Sequence, residues 1–108
     1  MKQPSHCASL YEIRVELDRI DHQIVTLLAE RFAYVHAAAP FKKSEVEVAA
    51  PERYTAMLAQ RRDWAKESGL DADVVESVFR EIVTYFIARE KELFRAGKGR
   101  DGAAAGQP

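Results

Sequence analysis

From Ser9 to Ala39 the chain contains neither proline nor glycine, and its aliphatic residues recur at steps of three and four. Leu10, Ile13, Leu17, Ile20, Ile24 and Leu27/Leu28 form one row, the heptad spacing of a helix that packs lengthwise on a partner. Ser9 and Glu12 stand at capping-box spacing in front of it, and Pro40 closes it. Such a helix is ~45 Å long at ~1.5 Å per residue. A compact chain of this size has a radius of gyration of only ~13 Å. The rest of the chain reads as two shorter helices, which cannot cover a row of that length. The economical expectation is a second copy of the chain, with the long helices packed together in an interlocked homodimer.

Pro51 opens the second helix, with Glu52 placed well for the helix dipole, and Gly69 is a natural stop. Its apolar residues are Tyr54, Met57, Leu58, Trp64 and Ala65, with Trp64 expected in the core; Arg61, Arg62, Asp63, Lys66 and Glu67 read as a charged outer face. The third helix opens around Asp71 to Asp73 and runs to about Phe94. Its stripe is Val75, Phe79, Ile82 and Phe86, then Glu90, then Leu93. Residues 40–50 read as a loop with two adjacent lysines, Lys42 and Lys43. The Gly- and Ala-rich end has no periodicity and reads as disordered. The expected organisation is a helical domain over 1–95 and a disordered tail over 96–108, all-α, with no competing strand pattern.

The 108 residues are 47% hydrophobic and 31% charged, with a net charge of −1, which gives no basic footprint for nucleic acid or a membrane surface. One cysteine, Cys7, excludes an internal disulfide and suits a reducing compartment. No run of 18 apolar residues exists and the N-terminus lacks an apolar signal core, so the expected location is the cytoplasm. His6 and Cys7 have no further ligands at zinc-like spacing, and His22 and His36 fall on the outer face of the first helix. No metal is expected.

Two charged residues interrupt apolar rows: Arg31 is next in the row of the first helix, and Glu90 lies within the stripe of the third. Arg14 borders the first row beside Ile13. A buried guanidinium needs an acceptor. Internal salt bridges, Arg31 with Glu90 or Arg14 with Asp21, are one solution. The other is a cavity in a helical bundle, lined by Arg14, Arg31, Lys42 and Glu90, that receives an anionic guest. Arginine suits that role because its fork binds a carboxylate bidentately.

The pattern Ile13-Arg14, Asp18-Arg19-Ile20-Asp21, Arg31, Phe41-Lys42 and Pro51-Glu52-Arg53 resembles the all-helical chorismate mutase class. The segments YV-x-AA, FK-x-SE, APER, AML and GLDA make it more similar to the isochorismate–pyruvate lyases of salicylate and siderophore biosynthesis. The resemblance runs from the N-terminus to about residue 95. It implies three helices per chain in an intertwined dimer, with two sites that bind a small dicarboxylate and need no cofactor. By the same resemblance Arg14 reaches across the dimer and Arg31 binds a substrate carboxylate. Lys42 sits on a mobile loop over the substrate, and position 90 lies near the ether oxygen that breaks. Lys42 and Glu90 are then the catalytic candidates. The implied reaction is a pericyclic loss of pyruvate from isochorismate, leaving salicylate, with weaker conversion of chorismate to prephenate.

Two departures from the lyase pattern stand out, at position 90 and in the loop. Glutamine is expected at 90, where this chain has Glu90; Arg and Ala are expected where it has Pro40 and Lys43. A carboxyl at 90 must be protonated to donate to an ether oxygen, and burial raises its pKa while Lys42 and Arg31 lower it. Glu90 is the feature favouring a dedicated chorismate mutase. A non-catalytic helical dimer or adaptor is the third reading, in which Arg31 is paired internally.

Overall fold

Three long helices carry the chain in the computed structural model, which describes the backbone of residues 1–103 and the side chains of residues 1–97. They are α1 (Leu10–Ala38), α3 (Pro51–Glu67) and α4 (Ala72–Ala103); a one-turn helix, α2 (Glu45–Ala49), lies between the first two. Short 3-10 turns occupy Pro4–His6 and Ala39–Phe41. No strand occurs among the described residues. The chain divides into two compact units, Met1–Tyr34 and Val35 onward, and the division falls within α1.

In the first unit, the Ser9 hydroxyl accepts the Glu12 backbone N–H at 3.2 Å. The Glu12 carboxylate accepts from the Ala8 N–H and from the Lys2 ammonium. The capping box therefore closes one residue further back than its usual form, at Ala8 instead of Ser9. α1 contains no buried residue. Its aliphatic row lies open, from Ile13 at 41% exposed to Leu27 at 61%.

In the second unit, α3 and α4 pack through Met57, Leu58 and Val83, all buried, with Tyr54, Phe79 and Ile87 against them. Between these helices the chain turns by a Schellman motif. Leu70 N–H bonds the Ala65 carbonyl at 2.8 Å, Gly69 N–H bonds the Lys66 carbonyl at 3.2 Å, and Gly69 takes φ +76°. Asp71 then caps α4, its Oδ1 accepting from the N–H groups of Asp73 (2.8 Å) and Val74 (3.2 Å). Arg62 joins the two helices by pairing with Asp73 and Glu76.

Three expectations change. Residues 40–50 are not all loop, because Ser44 accepts the Glu47 N–H at 3.2 Å and Glu47 Oε2 accepts the Lys43 N–H at 2.7 Å, which nucleates α2. The third helix is neither short nor finished at Phe94; it continues through Ala103, so the part of the expected tail over 96–103 is helical. The tail expectation for residues 104–108 lies outside the described residues. Trp64 is not core: it is 47% exposed, and the Arg61 guanidinium lies 4.6 Å from its ring centroid.

Candidate functional site

Glu90 stands four residues after Phe86 and seven after Val83, so helical periodicity aims all three side chains the same way. Phe86 and Val83 are buried, and Glu90 follows them to 5% exposure. Among the described residues its Oε2 accepts no hydrogen bond. The Lys42 ammonium stands 4.0 Å from that oxygen. Burial pushes the Glu90 carboxyl above its ordinary range and the Lys42 charge pulls it down; burial is the larger effect. Burial thus favours the protonated form more than at an exposed carboxyl, and in that form the group can donate as well as accept.

Lys42 is placed from the other side of the same unit. Its Nζ donates to the Glu47 carbonyl at 3.0 Å, and α2 carries that carbonyl. Val48 of α2 is buried, and Glu45 pairs with Arg95 of α4. The segment that brings Lys42 to Glu90 is thus tied at both ends of its short helix. Sequence reading left these ties out; the S-x-x-E spacing of Ser44 and Glu47 was the available signal.

Arg14 and Arg31 both lie on α1, Arg14 exposed and Arg31 half-buried. They are 31 − 14 = 17 residues apart, ~26 Å along the helix axis. One α1 therefore cannot bring both guanidinium groups to a single small dicarboxylate. A site that uses both needs two chains.

The arrangement of Lys42 and Glu90 provides a held cation facing a protonatable acid in an apolar setting. Such a pair can stabilise charge that develops on an oxygen atom, by hydrogen bond and by field, without forming a covalent intermediate.

Comparison with known proteins gives the same direction. The chorismate mutase type II family matches residues 13–91. The isochorismate pyruvate lyase of Pseudomonas aeruginosa is 46% identical over 99 residues, which cover 92% of this chain and 98% of that protein. The T-protein of Haemophilus influenzae is 33% identical over 90 residues, 82% of this chain but 24% of its own length. That of Enterobacter agglomerans is 32% identical over 77 residues, again about a fifth of its length (21%). Both the length of the family match and the near end-to-end likeness to the lyase lead to one assignment: the chain belongs to the chorismate mutase type II family.

Proposed function

We propose that this protein is an isochorismate–pyruvate lyase with weaker chorismate mutase activity. The observation that carries the reading is the likeness to the Pseudomonas lyase, which spans nearly the whole of both chains. In the reaction the ring C2 hydrogen passes to the enolpyruvyl methylene as the ether C–O bond breaks. The methylene becomes the methyl group of pyruvate, the ether oxygen becomes its keto oxygen, and the ring is left as salicylate. The protein holds the reactive conformer and stabilises charge on the departing oxygen. Glu90, in its protonated form, donates to that oxygen, and Lys42 closes over the bound anion and strengthens the field in a site shielded from water.

Arg31 binds a substrate carboxylate, and Arg14 comes from the partner chain. The ~26 Å between them on one helix supports that division. The working unit is a homodimer built on the open aliphatic row of α1. No described helix is long and apolar enough to cross a membrane, and the proposed location is the cytoplasm.

One observation favours a second reading. Glu90 is a carboxylic acid where the lyase pattern has an amide, and a dedicated chorismate mutase is the alternative. Purified protein incubated separately with isochorismate and with chorismate decides between them. The lyase reading expects salicylate and pyruvate in equal amounts, formed faster than prephenate; prephenate alone assigns the mutase.

A further inference from the structure

We propose that Glu47 is a positioning residue: its backbone carbonyl, set by the Ser44–Glu47 capping box and left without its helical donor by Pro51, fixes the Lys42 ammonium beside Glu90. The inference deepens the catalytic reading given above and rests on it for its functional consequence.

In an α-helix each carbonyl accepts from the N–H four residues on. Within α2 the Val46 carbonyl receives the Ala50 N–H at 2.9 Å. The Glu47 carbonyl is next, and its partner would be residue 51, a proline with no N–H. The chain turns there through Ala50, which takes the left-handed conformation at φ 42° and begins α3, so α2 cannot continue. A terminal carbonyl of this kind attracts a cation. Lys42 supplies it at 3.0 Å, and the same Nζ then stands 4.0 Å from Glu90 Oε2. The Glu47 side chain meanwhile accepts the Lys43 N–H at 2.7 Å and holds the backbone next to Lys42. A single residue thus holds both the Lys42 ammonium, through its carbonyl, and the adjoining Lys43 N–H, through its carboxylate. Of the other charged groups on this segment, Glu45 is paired with Arg95.

Protonation of Glu90 reads the position of Lys42 independently of turnover. In the full-length protein, the Glu90 side-chain carboxyl is followed by carbon NMR against pH, assigned with Glu90→Gln. Ser44→Ala and Glu47→Ala release Lys42, so the Glu90 titration moves to higher pH. Glu47→Gln keeps an acceptor for the Lys43 N–H, and its titration does not rise. The sign is diagnostic, because deleting the Glu47 charge alone would move the titration down. In a Lys42→Ala background, Ser44→Ala produces no further change. With isochorismate, Ser44→Ala and Glu47→Ala lose about fivefold in kcat/KM, the worth of one cap, and Glu47→Gln restores most of it. A Glu90 titration that stays or falls in both alanine variants overturns the proposal, as does an equal rise when Lys42 is absent. A rise as expected, with no turnover of isochorismate or chorismate by the native protein, upholds the positioning role and overturns the proposed function.

Discussion

At the scale of single residues, Glu90 is the most informative side chain in the second unit. Its pKa is raised in the folded chain by burial, against the pull of Lys42. A carboxyl with a raised folded pKa binds more protons folded than unfolded, so its contribution to stability is present below the unfolded pKa. That contribution is lost as pH rises through the folded value. Glu90→Gln is therefore expected to stabilise the protein at neutral pH, because the amide carries no charge for burial to penalise. The advantage should vanish in acid, and melting temperatures of both forms across pH 4 to 8 test it. Activity follows the same proton: turnover is expected to fall as pH rises in the native enzyme and to be flatter in Glu90→Gln. A native profile with no alkaline decline would remove the acid role. Lys42→Ala is expected to lower kcat by about 10²-fold or more, as loss of a preorganised charge does, with a circular dichroism spectrum unchanged. Glu90 was legible in the sequence because a charge at an apolar position stands out. The hold on Lys42 was not, since it depends on a hydrogen that Pro51 lacks.

The elements owe their limits to a few local signals. Pro51, Gly69 and Asp71 marked helix boundaries in the sequence, and each has a structural cause: a tolerated first-turn proline, a left-handed stop and an N-cap. A Cβ at Gly69 would meet nothing within 4 Å, so the φ of +76° is the whole penalty there. Gly69→Ala should cost about 1–2 kcal/mol, read as a shift in the denaturant midpoint with m unchanged. A cost near zero would mean that the turn relaxes to another conformation. α2 escaped sequence reading because five residues cannot display a helical period, although its capping box was present. The end of α4 was misjudged for the opposite reason. Gly97 and the small residues around it argue against a helix by ~1 kcal/mol per glycine, yet α4 runs on through Ala103. Trp64 was assigned by apolarity alone, which takes no account of an arginine lying over the ring.

At the scale of the whole molecule, the long first helix carries the main consequence. Its aliphatic row buries no residue in the single chain, while the matched family and the lyase relative extend over that same helix. A homodimer is the proposed complement, and it supplies two chains for the two arginines that one helix keeps ~26 Å apart. Ile20→Glu, in the middle of the row, is expected to convert a sedimenting dimer to monomer or to unfold it; a native protein that sediments as a monomer at micromolar concentration would contradict the assembly. Turnover by mixed dimers of Arg14→Ala and Arg31→Ala should be partly restored, because one of their two sites then keeps both arginines. The central claim is tested most directly by adding isochorismate to the purified native protein and following salicylate and pyruvate together. The expected result is equimolar appearance of both, faster than prephenate forms from chorismate; no release of either product would contradict it.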